Sequence, residues 1–150
     1  MSLSSDIEKW LDSFVRIYYE EFERELSAIA QEATDKARSS HPNDFHDITG
    51  NLRSSIGAAV YNHGKMVFMT SFETVLGGTR GSSRGKAEAS RLSSQYANAI
   101  TLTIVAGESY AENVEARRDV ISGAVLWAES VVDGRMQEAA RRAHDRISKL

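Results

Sequence analysis

The segment "HPNDFHD" carries His41, Asp44, His46 and Asp47, all residue types that ligate zinc or iron. Read for chemistry, it would make the chain a small metal-dependent enzyme working through His41, Asp44 and His46. Metal ions are usually held by ligands from rigid elements, backed by further hydrogen bonds, whereas polar residues around a proline are what an ordinary loop contains. The loop reading therefore prevails, and no catalytic residue, metal ligand or cofactor is assigned. His63 in a turn and His144 on a terminal helix have no sequence-local partner that would make a triad, so both read as surface.

A second candidate is "GSSRGK", Gly81 to Lys86, which invites comparison with a phosphate-binding loop. Its glycines are one residue too close, and Ala87 stands where a metal-binding Ser or Thr belongs, so that reading fails. The same stretch places Arg80, Arg84, Lys86 and Arg91 against one acid, Glu88, with Tyr96 nearby. Such cations could meet DNA phosphates, but no groove-reading helix or stacking platform accompanies them. A solvated loop is the simpler reading, and a nucleic-acid binder remains the alternative.

Composition narrows the classes further. The 150 residues are 41% apolar, enough for one core, and a single domain over residues 1–150 is expected. A net charge of -3 argues against a surface built wholly for nucleic acid. Without cysteine there is no disulfide framework, thiolate metal site or cysteine nucleophile. No apolar run reaches membrane-spanning length and Met1 to Ser5 opens no signal-peptide core, so a soluble, unexported chain is expected.

The elements that must position any site follow from periodicity. Ile7, Trp10, Leu11, Phe14, Tyr18, Phe22, Leu26, Ile29, Ala33 and Ala37 recur every three or four residues, which predicts one long amphipathic helix. Ser5 and Glu8 predict a capping box at its start, and Pro42 its end. Glu8, Lys9, Asp12, Arg16, Glu20, Glu23 and Arg24 form the opposite, solvated face. At roughly 50 Å the helix is longer than a compact chain of this size is wide. Trp10, Phe14 and Tyr18 are thus candidates to cover a neighbouring subunit, with packing inside the monomer as the plainer expectation.

Thr49 can cap a short turn ending near Ser55, and a hairpin follows. Ile56 to Tyr61 and Lys65 to Glu73 favour strands around the turn Asn62-His63-Gly64. Ile100 to Val105 alternates as a third strand with a wetter face, pairing antiparallel. Between strands two and three the Gly/Ser/Arg segment is too poor in large apolar residues to order well, apart from a short helix over about Lys86 to Tyr96. Ile121, Val125, Ala128, Val132, Met136, Ala139, Ala143 and Ile147 predict a long C-terminal helix. The fold class is α+β: helix, hairpin, flexible loop, strand, helix.

After the third strand, Ser109 and Glu112 repeat the capping-box pattern, predicting a short helix from Tyr110. Glu115 on it would sit near the strand ends, with Arg53 of the first turn as a candidate ion-pair partner, within the monomer or across a subunit boundary; two independent surface charges are the plainer reading.

Taken together, "DITGNLRSSI" and "YAENVE" resemble the two signature segments of a family of tail-completion or head-to-tail joining proteins of siphophages and prophages. The first motif falls on Thr49, Gly50, Leu52, Arg53, Ser55 and Ile56. The second falls on Tyr110, Ala111, Val114 and Glu115. Many members continue with a Gly-Thr segment and later a Pro-Phe segment; here Ala116, Arg117 and Arg118 follow, and Pro42 is the only proline. The resemblance implies a non-enzymatic structural protein of a bacteriophage, forming a ring, commonly a hexamer, between the capsid connector and the tail tube. Its partners would be further copies of itself, connector or adaptor proteins and tail-tube proteins. It would assemble in the bacterial host cytoplasm and end in the virion, with no membrane contact. DNA would be met only by proximity, through Arg80, Arg84, Lys86 and Arg91 lining the channel.

Overall fold

A computed structural model describes residues 3–39, 50–109, 111–115 and 120–150. Helix α1 spans Leu3–Ser39 and helix α2 is the short turn Asn51–Ser54. Strands β1 (Ile56–Asn62) and β2 (Lys65–Met69) form the hairpin, α3 spans Thr79–Leu92, and a 3-10 turn covers Ser93–Gln95. Strand β3 (Ile100–Ala106), α4 (Ala111–Glu115) and α5 (Ser122–Ser148) complete the order. The mixed helix-and-sheet class, the long terminal helices and the antiparallel three-strand sheet are those expected from periodicity.

Helix α1 begins at Leu3, so Ser5 and Glu8 lie inside it and are not its capping box. The apolar spacing continues upstream of Ser5 through Leu3, and the helix follows that spacing. Pro42 lies outside the described residues.

The sheet order is β2-β1-β3, all antiparallel, with β1 in the centre. The hairpin turn takes positive φ at His63 and Gly64, 51° and 82°, which is the geometry that suits the right-handed twist of the flanking strands. Val67 is the extra residue of a bulge opposite Val60 and Tyr61. Strand β2 stops at Met69, earlier than Glu73, because Phe72 turns out of the strand at a φ of 50° and buries its ring.

One face of the sheet carries Ile56, Ala58 and Val60 with Ile104, and packs on Leu26, Ile29, Ala30, Ala33 and Ala37 of α1 and on Ala124, Trp127 and Ala128 of α5. Each fully buried Leu, Ile or Val contributes roughly 1.5–3 kcal/mol of transfer free energy. The other face, expected to be wetter, is covered. Ala59, Tyr61 and Val105 pack there with Phe72 and with Ala89 of α3. Thr103 is buried too, its hydroxyl donating to that of Tyr61 at 3.3 Å.

That cover is the main departure from the sequence reading. The Gly/Ser/Arg segment is not a flexible loop: residues 79–92 form a continuous helix with Gly81, Ser82, Gly85 and Ala89 buried. Those positions recur every three or four residues, and their small size lets the helix lie backbone-close to α2 and β1. A Cβ on Gly81 would overlap the carbonyl of Asn51, and one on Gly85 would overlap the Phe72 ring. Asn51 further accepts a hydrogen bond from the Gly81 amide at 3.0 Å.

Helices α1 and α5 run antiparallel along a seam of small residues, with Ala139 and Ala143 of α5 fully buried. Beside the seam, Arg146 pairs with Glu20 and Glu21, Arg142 with Glu21 and Glu25, and Arg135 with Glu25 and Glu32. The face of α1 expected to be merely solvated is thus partly engaged: besides Glu20, Glu23 accepts from Asn62 at 2.8 Å and Arg24 pairs with Glu21. Among the described residues no helix is long and apolar enough to cross a membrane.

Candidate functional site

The segments around Gly50 to Ile56 and Gly107 to Glu115 meet at one end of the sheet. Gly50 opens α2 at a φ of 73°, and a side chain there would collide with the Val75 carbonyl. Leu52 then drops into a cluster with Ile56, Ala111 and Val120, against Ala33 and Ala37 of α1. The Ser55 carbonyl accepts from the Gly107 amide at 3.1 Å, and so ties the start of β1 to the end of β3. Residues 50–56 therefore form one unit with residues 107–109 and 111–115, although more than fifty positions separate the two segments. Thr49, Tyr110 and the side chain of Val114 lie outside the described residues.

Within the chain, Arg53 and Glu115 do not pair with each other. Arg53 donates to the carbonyl of Arg38 near the end of α1. Glu115 turns the other way and accepts from the amides of Val120, Ile121 and Ser122, at 2.7, 2.9 and 3.2 Å, and from the Ser122 hydroxyl. It caps α5 from outside that helix. The first amides of a helix have no partner within it and carry partial positive charge, so a carboxylate brought there is stabilised. Burial pushes the Glu115 carboxyl up, but the Ser122 hydroxyl and the three amides outweigh it and hold it below the usual glutamate range.

The basic segment is used internally. Glu108, whose side chain is 0% exposed, receives Arg80 at 3.0 and 3.2 Å and Arg84 at 3.1 Å. Arg84 also donates to the Ser109 hydroxyl at 3.3 Å, and Arg91 pairs with Glu88 on α3 itself. Lys86 is exposed. Three of the four cations considered for DNA thus tie α3 to the end of β3 or to its own surface. Glu108 lies beyond the basic segment in the sequence, so the local excess of positive charge does not show its partner.

His41, Asp44, His46 and Asp47 lie outside the described residues. Among the described residues no group of three or more His, Asp or Glu side chains is placed to hold a metal ion.

What the surface offers is apolar. Leu3, Ile7, Trp10, Leu11 and Val15 of α1 are between 47% and 77% exposed, although they belong to the stripe that is buried further along the helix. Phe14 is half-buried, its ring 4.2 Å from that of Trp10. A groove of about 490 Å³ lies between β3 and α5, with Leu92 and Tyr96 also in its lining.

The glutamate–arginine ladder between α1 and α5 was missed in the sequence, and it had a signal. Glu21, Glu25 and Glu32 are spaced by four and seven, and Arg146, Arg142 and Arg135 by four and seven in the opposite chain direction. Antiparallel helices require that reversal. Comparison with family models, with curated proteins and with solved structures returns no match to this chain.

Proposed function

We propose that the protein is a bacteriophage or prophage structural component that completes the tail or joins it to the head, acting through protein contacts in a ring of identical copies. The observation that carries this reading is the convergence of the two signature segments. Leu52 and Ile56 of the first and Ala111 of the second share one buried cluster, and Arg53 and Glu115 each brace a neighbouring helix end. Residues used in that way make a rigid end plate, which suits an assembly unit better than a reaction centre. The exposed apolar turns of α1 add support, because large contiguous apolar surface on a folded chain marks an interaction site.

In this role the protein binds further copies of itself, with connector or adaptor proteins on one side and tail-tube proteins on the other. Electron microscopy and protein analysis of particles from a host carrying the gene test it. The expected result is the polypeptide at the neck or tail end of finished virions, and unjoined heads and tails when the gene is deleted. Normal virions that lack the polypeptide would remove the proposal.

A further inference from the structure

We infer that the first turns of α1 in one copy dock into the β3/α5 groove of the next, so that copies join head to tail. The choice of a head-to-tail contact over a two-fold one rests on the ring reading above.

The surface to be covered continues an interface already present. Ile17 and Glu21 are buried, Glu21 pairing with Arg142 and Arg146 of α5, and Phe14, Trp10 and Ile7 extend the same side of α1 upstream in alternating steps of three and four. Helix α5 stops at Ser148, and Arg146 near its end reaches Glu20. Residues 3–15 of α1 thus run past their partner for roughly 20 Å, carrying the apolar stripe with them. With side chains of this size half or more exposed, the uncovered apolar area is on the order of 500 Å². A stable interface takes about 800 Å² from each partner, so this stripe supplies most of one side.

The groove offers the complement. Strand β3 is an outer strand, and its apolar side chains Leu102 and Ile104 are only half-buried: α5 meets the sheet through Ala124, Trp127 and Ala128, while Val125 and Val132 line the groove beside β3. The five residues of β3 that line it, Ile100 to Ile104, make a floor roughly 17 Å long, close to the length of the overhanging helix. An apolar helix face laid into an apolar groove is a recurring mode of recognition.

The two surfaces cannot meet within one molecule. Helix α1 is continuous from Leu3 to Ser39, and its own Leu26 lines the groove, so its first turns are carried away from that site along a rigid axis. They can meet only between copies. Because stripe and groove are different patches, the contact is heterologous and repeats until the rotation closes a ring.

The test uses the purified full-length chain in sedimentation velocity. The wild-type protein is expected to associate as its concentration rises to about 1 mM. The double substitution Trp10→Glu, Leu11→Glu spoils the stripe and Val125→Lys spoils the groove, and each protein alone is expected to be monomeric. Mixed in equal amounts they should form heterodimers and nothing larger, since one intact stripe and one intact groove remain. Circular dichroism and thermal melts check each variant, and Val132→Lys replaces Val125→Lys if the latter fails to fold. A wild-type chain that stays monomeric to 1 mM overturns the inference, as does association that survives the stripe substitution or a mixture that yields no heterodimer. None of these outcomes bears on virion location, so a protein found in virions but failing here loses this contact alone.

Discussion

Helices α3 and α5 dock on the same small sheet by opposite means. Helix α3 approaches with almost no side chain, placing Gly81 and Gly85 against backbone and ring, and then fastens its outer edge with two arginines on Glu108. Helix α5 touches α1 through alanines and reaches around them with three long arginines to Glu20, Glu21, Glu25 and Glu32. The first mode depends on shape and tolerates no added atom. The second depends on charge, remains partly hydrated, and should respond to pH and salt.

That contrast can be broken most sharply at Gly85. Gly85→Leu should destabilise the protein by roughly 3 kcal/mol or more, because the Phe72 ring and the Ser55 carbonyl occupy the space the side chain needs. Urea unfolding measures it, and a loss under 1 kcal/mol would mean that α3 does not depend on close approach. Next, removing both arginines, Arg80→Ala with Arg84→Ala, strands the buried Glu108 carboxylate and should cost about 3 kcal/mol. Glu108→Gln should cost less, because the two arginines left behind are half-exposed and rehydrate. Equal losses for the two variants would contradict the burial argument.

On the α5 side, Glu115→Ala removes the cap on its first turn and should cost about 1–2 kcal/mol. Hydrogen exchange should then accelerate at Val120 to Ser122 before it does elsewhere. Gly134 supplies the opposite sign to Gly85. Nothing lies within 4 Å of where its Cβ would be, so Gly134→Ala should raise stability by about 0.5–1 kcal/mol.

The smallest effect tests the arginine–glutamate ladder by pH. Burial pushes the Glu21 carboxyl up, but Arg142, Arg24 and Arg146 outweigh it and hold it below the usual value of 4.5. Glu25 is held down in the same way, against burial, by Arg135 and Arg142. A carboxyl lowered in the folded state contributes stability that is complete above its unfolded pKa and is lost as pH falls through the folded pKa. Stability should therefore be flat with respect to these groups from pH 8 to 6 and decline below about 4.5. Replacing Glu21 and Glu25 with glutamine should flatten that decline. An unchanged acid limb would show that the ladder adds nothing to the α1–α5 contact.

The exposed turns of α1 mark the limit of what periodicity can say. Leu11 and Ile29, eighteen residues and about five turns apart, lie on the same line of the helix, yet Leu11 is 50% exposed and Ile29 0%. The pattern states that a face is apolar and leaves open what covers it. The same holds for charge: Glu115 was legible as a residue held near the strand ends, but its partner is an amide cluster that chain folding brings to it.

The elements resting on local rules were determined by sequence alone. These are α1 and α5 from their three-to-four repeats, the hairpin from residues that accept positive φ at His63 and Gly64, and β3 from its alternation. Three further features came only with the tertiary structure: the helical state of residues 79–92, the cover on the second sheet face, and the partners of Arg80, Arg84, Arg53 and Glu115. The reason is physical. A helix with glycine at its contact face has weak intrinsic propensity and gains its stability from the surface it docks on. An ion pair or a cap is likewise decided by which group the folded chain places within reach, Glu108 for Arg80 and Arg84, and for Glu115 the amides five to seven residues on.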